Sequence, residues 1–335
     1  MTQYAVYALG NALVDLEYTA TEDDLAQLRI DKGVMTLVDE QQQARIMEHF
    51  KHQQPRRGSG GSAANSIIAL AQLGGQGFYS CKVADDTLGR FYIDDLQAAG
   101  VATSADQHLA TGNTGRCVVL VTPDTDRTMC TYLGVSSDLS PEALDHQALR
   151  QSQYFYTEGY LVTSPTALQA AIEARQIAEQ AGVKTALSLS DPNMVNFFKD
   201  GLRELIGEQI DLVFANEEEA RGMADAASLN EAADYLKTIA RQFAITRGPH
   251  GALIYDGNEL IEIAPVKVTA VDTVGAGDMF AGAFLYGLTQ GWDHRRTGAL
   301  ASAASAKLVT SLGPRLTQDM TQTILREVTA TFNAI

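Results

Sequence analysis

With 335 residues the chain is long enough to bury the core of one large α/β domain. Its 25 Lys and Arg against 41 Asp and Glu give a formal charge of −16, which repels nucleic acid and anionic membranes, so any bound phosphate must be held locally. Three scattered cysteines, Cys81, Cys117 and Cys130, exclude a disulfide framework or a four-ligand metal site. Reduced thiols, the lack of a basic leader and the lack of any apolar run of about 18 residues lead to the expectation of a cytoplasmic protein without a membrane span.

The first half is mixed. Strand patterns in "YAVYALG", "GVMTLVD", "GFYSCKV" and the pair "TGRCVVLVT" and "DRTMCTYLG" alternate with helices predicted near 41–50, 63–73 and 88–99. The alternating hairpins fit a sheet with one solvated face, and a small lid is expected from segments within about 12–40 and 112–136. Cys117 and Cys130 flank one such hairpin and are close enough in pattern to face each other. From about residue 150 onward strands and helices alternate: "YFYTEGY", "KTALSLS", "IDLVFAN" and "FAITRG" are separated by helical stretches. A hairpin turning at Asp256 and Gly257 follows, then helices over 276–290, 293–311 and 317–333. This pattern predicts a doubly wound α/β domain, a mostly parallel sheet with helices on both faces, and a single domain over 1–335.

Four motifs fall at strand ends. In "DTVGAGD" an apolar helix begins after Asp272, so the backbone NH groups of Gly275, Ala276, Gly277 and Asp278 project from its N-terminus as an anion site. Asp278 either caps that helix or accepts a proton from a group attacking the bound anion; the bare glycines favour phosphoryl transfer to an alcohol. In "DLVFANEEEA", Asn216 and Glu219 form either a capping box or a pair that orients water on a magnesium ion. "FAITRGPHGA" ends a strand in a glycine turn with Thr246, Arg247, Gly248 and Gly251. In the N-terminal half, Asn11, Leu13 and Asp15 follow the first strand, and Gly60, Gly61 and Asn65 open a helix. "GSGGSA" satisfies a dinucleotide fingerprint in form only, because polar "KHQQPRR" precedes it. There is no Gly-Lys dipeptide, G-x-S-x-G elbow or H-E-x-x-H pair, and His49 and His52 receive no role.

Over nearly the whole chain these segments resemble the ribokinase-like (PfkB) carbohydrate and nucleoside kinases, on "GGSAANSIIALAQLG" and "DTVGAGDMFAGAF". "GNALVDLEY", "SLSDPNMVNFFKD" and "DLVFANEEEA" are most similar to segments of adenosine kinases. The resemblance implies Asp278 as the base and Gly275 to Asp278 as the anion hole. It implies Asn11, Asp15, Asn65 and the Gly60-Gly61 backbone at sugar hydroxyls, with Leu13 and Tyr160 as an apolar slot. ATP is expected along Thr246 to Gly251 and near Ser302, and Mg2+ beside Asn216 and Glu219. A monovalent cation, K+, is expected on Asp272 and the carbonyls of Val274, Leu308, Ser311 and Gly313. A purine nucleoside is the expected acceptor, a free sugar the alternative, and a non-catalytic nucleoside or sugar sensor a third reading. Asn193 stands where animal-type adenosine kinases place an aromatic wall. No nucleic-acid or membrane partner is expected, and a monomer or homodimer is.

Overall fold

The computed structural model describes residues 3–124 and 126–333 and holds two sheets. The larger has nine strands in the spatial order Leu260–Ile263, Ala252–Tyr255, Ala240–Thr246, Ile210–Asn216, Lys184–Ser188, Ser152–Glu158, Tyr4–Leu9, Gly77–Ser80 and Val101–Ala102. From Ala240–Thr246 onward all neighbours run parallel, while the hairpin at the other edge is antiparallel. The interior strands are buried on both faces and read as continuous apolar runs, such as Leu212 to Ala215.

Helices cover both faces and divide the core in two. One half is built around Tyr79, Tyr156, Phe214, Phe280 and Phe284, the other around Tyr7, Phe155, Leu187, Val213 and Phe243. The helix Ala276–Thr289 is buried from Met279 to Gly287, apolar all round, and therefore sits inside the protein, where it packs on the helix Ser62–Gln72. The chain order reverses at Tyr4–Leu9, which is flanked by Gly77–Ser80 on one side and by Ser152–Glu158 on the other. In an open parallel sheet such a reversal leaves a crevice beyond the carboxyl ends of the strands.

The smaller sheet lies over that crevice and has five strands, ordered Met35–Leu37, Arg127–Tyr132, Gly115–Val121, Leu13–Thr19 and Arg56–Gly60. Arg56–Gly60 pairs antiparallel with Leu13–Thr19, so the polar run before the Gly-Gly motif leads, from Arg56, into an edge strand of this sheet. Its charged residues suit an edge that must not pair further. Along Leu13–Thr19, Val14, Leu16 and Tyr18 are buried, and the period of two turns Leu13 and Asp15 to the opposite face, toward the crevice. The cysteines do not face each other: Cys117 is opposite Thr131 and Cys130 opposite Val118, so adjacent register positions place them on opposite faces. All three cysteines are buried and free, and burial pushes each thiol pKa up.

Candidate active site

A cleft of about 550 Å³ lies between the sheets. Asp278 reaches it from the first turn of Ala276–Thr289, and its contacts come from another element. Ser62 Oγ donates to its Oδ1 at 2.6 Å, and Asn65 Nδ2 donates to its Oδ2 at 3.0 Å. Neither contact caps the helix carrying Asp278, so capping does not explain the residue. Burial raises the Asp278 pKa to about 6, while the donors Ser62 and Asn65 and the charge of Arg315 pull the other way. That value suits a carboxylate that is ionised near neutral pH yet able to take a proton.

The helix begins at Gly275, in the left-handed region at φ 77°, where an added Cβ would lie 2.8 Å from the Pro314 backbone. No side chain caps this terminus; the Ala276 NH donates to the Thr273 carbonyl at 3.2 Å, while those of Gly275, Gly277 and Asp278 have no described partner and lie at the positive end of the helix dipole. The two parts of an acceptor-activating, anion-holding site, a carboxylate and a row of main-chain donors, thus share one wall of the cleft.

Across from them stands Asp15, which takes no described hydrogen bond and whose pKa burial raises to about 7 against the charges of Arg315 and Arg127. The Asp15 carboxylate lies against Gly60, and a Cβ at Gly60 would overlap its Oδ1. Gly60→Ala should therefore displace Asp15 and raise the acceptor KM by about tenfold or more with nucleotide affinity unchanged. Steady-state kinetics with each substrate varied checks this, and an unchanged acceptor KM would count against a binding role for Asp15.

A family model for the pfkB family carbohydrate kinases matches residues 30–320. The chain belongs to that family. It is 27% identical to the adenosine kinase of Saccharomyces cerevisiae, over 91% of this chain and 95% of the relative. The crystal structure of adenosine kinase from Sinorhizobium meliloti superposes with a TM-score of 0.87 at 33% identity, covering 97% of this chain and 99% of that one. A probable sugar kinase from Rhizobium etli CFN 42 superposes at 0.89 with 32% identity, covering 98% and 99%. Membership and these likenesses make this chain a phosphotransferase with an alcohol acceptor, a nucleoside or sugar kinase on the ribokinase-like fold.

Within this kinase Asn11, Leu13, Asp15, Gly61, Asn65, Tyr160, Asn216, Glu219, Thr246 and Val274 to Asp278 all line the one cleft. Arg247, Gly248, Gly251, Ser302, Asp272, Leu308, Ser311 and Gly313 do not. Asn193 is exposed and off the lining. Its neighbours Pro192 and Met194 line the cleft instead, with Met35 and Met129 from the smaller sheet and Leu133 just after its strand Arg127–Tyr132.

Asn216 and Glu219 form a reciprocal capping box: Glu219 N donates to Asn216 Oδ1 at 2.8 Å and Asn216 N to Glu219 Oε2 at 2.9 Å. Asn216 Nδ2 also donates to Glu219 Oε1 at 2.7 Å. Each carboxylate oxygen accepts one of these bonds and keeps a lone pair, so the pair fits a magnesium ion through water and not by direct ligation. Burial raises the Glu219 pKa to about 7.

Two members of the set expected to hold a monovalent cation, Asp272 and the Leu308 carbonyl, are already engaged by the chain itself. Asp272 Oδ2 accepts from Arg127 Nη1 at 2.6 Å and from Gly313 N at 2.8 Å, and its Oδ1 accepts from Val274 N at 3.0 Å. The Leu308 carbonyl accepts from Ser311 N at 3.0 Å and Ser311 Oγ at 3.1 Å. A guanidinium from the smaller sheet already supplies the positive charge beside Asp272.

Among the polar residues of the site that were not predicted are Glu158, Ser62 and Arg315. Glu158 ends a central strand, is 1% exposed and takes the NH groups of Asn11 at 2.9 Å and Ala63 at 2.7 Å. Its position, an acid at the carboxyl end of a buried strand in "TEGY", was a readable signal. Ser62 lay inside the quoted "GGSAANS". Arg315 follows the cation-loop glycine and carried no pattern of its own.

Proposed function

We propose that the chain transfers the γ-phosphate of ATP to the primary hydroxyl of a purine nucleoside. The observation that carries the acceptor class is the slot beside Asp15. Leu13, Met35, Met129, Leu133, Tyr160 and Met194 give the cleft an apolar lining, and Asp15, Asn65 and Asp278 give it a polar one. A nucleoside has the same two-part chemistry, a flat apolar base joined to a hydroxylated sugar. Polarizable methionines pack well against an aromatic ring, so they replace the aromatic wall missing at Asn193.

In this reading Asp15 and Asn65, with the Asn11 and Gly61 segments, hold the sugar hydroxyls. Asp278 takes the proton of the primary hydroxyl as its oxygen attacks the γ-phosphorus and the bond to the β–γ bridging oxygen breaks, releasing ADP. The NH groups of Gly275 to Asp278 oppose the charge on the transferring phosphoryl oxygens. ATP runs from Thr246 past Arg247, Gly248 and Gly251 toward Ser302, along the carboxyl edge of the large sheet, with Mg2+ held through water near Asn216 and Glu219. The metal supplies charge neutralisation for the phosphates when bound.

The polar cleft residues Thr163, Ser190 and Asp191 favour a second reading, a free-sugar kinase, since hydroxyl-rich ligands use such groups. ADP release with Mg-ATP and adenosine, inosine, guanosine, ribose or fructose separates the two. Turnover of a nucleoside at low KM is expected. Turnover of ribose or fructose alone overturns the acceptor assignment, and binding without turnover would instead indicate a sensor.

A further inference from the structure

Asn65 stands between the proposed base and Arg315, which does not line the cleft. Arg315 Nε donates to Asn65 Oδ1 at 3.1 Å, and Asn65 Nδ2 donates to Asp278 Oδ2 at 3.0 Å. A guanidinium carries only donors, so it must take the amide oxygen and leaves the amide NH2 for the carboxylate. Without that partner the side-chain amide is free to turn, and its oxygen would then face a carboxylate oxygen.

Arg315 is itself anchored on two further elements. Its Nη1 donates to Asp95 Oδ2 at 2.9 Å, on the helix Thr87–Ala98, and its Nη2 donates to Ser59 Oγ at 2.8 Å, on the strand Arg56–Gly60. Ser59 N closes the cluster by donating to Asp95 Oδ2 at 3.1 Å. All five guanidinium donors cannot be matched by one loose contact; three separate acceptors fix the plane of the fork.

The same position matters for charge. The titratable groups facing Asp278 are Arg315, Asp15, Glu158, Glu219 and the phenols Tyr156 and Tyr160, and Asp191 lines the same cleft. Arg315 is the one cation in that group, among the described residues.

We propose that Arg315 is a positioning residue for phosphoryl transfer: it fixes the Asn65 amide so that Asp278 is held toward the acceptor hydroxyl, and it supplies the counter-charge beside Asp278. The proposal rests on the kinase reading above, with Asp278 as the base.

The test uses the full chain with Mg-ATP and the best acceptor of the panel. Arg315→Met should lower kcat by about tenfold to a hundredfold, the range for a misplaced catalytic group, with acceptor KM rising as Asn65 loosens and ATP KM changed far less. Removing the cation should also move the acidic limb of the kcat/KM profile upward from about 6, because the Arg315 charge holds the Asp278 pKa down. Arg315→Lys keeps the charge and loses the fork, so kcat should fall while the limb stays in place; it also serves if the Met variant does not fold. Adding Asn65→Ala to Arg315→Lys, which keeps the charge, should cost no more than Asn65→Ala alone, since the fork and the amide act in series. Wild-type kcat and limb in a folded Arg315→Met or Arg315→Lys variant overturns the proposal, as do losses that multiply when Asn65→Ala is added to Arg315→Lys. If the wild-type chain releases no ADP with any acceptor, the kinase reading fails and this proposal falls with it, an outcome distinct from the others.

Discussion

Asp278→Asn is expected to lower kcat by on the order of a hundredfold or more while ATP affinity stays nearly unchanged, the cost of removing a general base. The substitution is close to isosteric and leaves Ser62 and Asn65 in place, so the loss would report chemistry and not folding. The Asn65 NH2 would meet a side-chain amide, which can still accept through its own oxygen. The wild-type profile supplies a second check. The base works only when ionised, and its pKa is raised to about 6, so kcat/KM should fall tenfold per pH unit below that value. Folding does not need to change for this to occur. The Asn variant should lack that limb, its residual rate being nearly flat with pH. Single-turnover measurements across pH, with nucleotide binding followed separately, decide the matter. An Asn variant of near-normal rate would end the assignment of Asp278 as base.

How much of this was readable before any coordinates follows from how each signal is encoded. The doubly wound sheet was legible because its buried strands are continuous apolar runs separated by helices, a local pattern repeated along the second half of the chain. The anion-holding turn was legible for a similar reason, since glycines followed by an acid at a helix start are contiguous in sequence. The edge strand Arg56–Gly60 was not, because its polar residues lack both apolar runs and alternation; it is a strand through pairing with Leu13–Thr19, where Arg56 sits opposite Glu17, 39 residues away in the chain. Tertiary pairing overrides local preference there. Of the two readings of Asn216 and Glu219 the capping box is present, and both residues also line the cleft. Arg315 and Arg127 were missed because their meaning is their partners, which lie far away in sequence. The same blindness affected the cation set: Asp272 and its carbonyls match a local pattern, while the guanidinium that occupies the carboxylate comes from residue 127. Long-range ion pairs leave no periodicity to find.

Arg127→Met is the change expected to cost the most stability. Arg127 is 8% exposed and lies between two acids, donating to Asp272 at 2.6 Å and also to Glu17, whose side chain is 23% exposed. Taking away the shared cation leaves Asp272, 7% exposed, with its charge met only by two backbone NH groups. Breaking a buried pair from one side costs about 3–5 kcal/mol, and the partial exposure of Glu17 points to the lower figure. For a chain of this size that corresponds to a fall in Tm of about 5 °C, measurable by thermal unfolding. Arg127 and Glu17 belong to the smaller sheet and Asp272 to the loop before the anion-holding turn, so the variant should also loosen the sheet that closes the cleft. Potassium gives the discriminating readout. With the guanidinium in place, exchanging K+ for tetramethylammonium at constant ionic strength should leave wild-type Tm and turnover almost unchanged. In the Met variant Asp272 is freed to accept a cation, so K+ should recover part of the lost Tm where tetramethylammonium does not. Strong activation and stabilisation of the wild-type chain by K+ would show that Arg127 leaves Asp272 when the enzyme works, and that the ion pair is not a substitute for a bound cation.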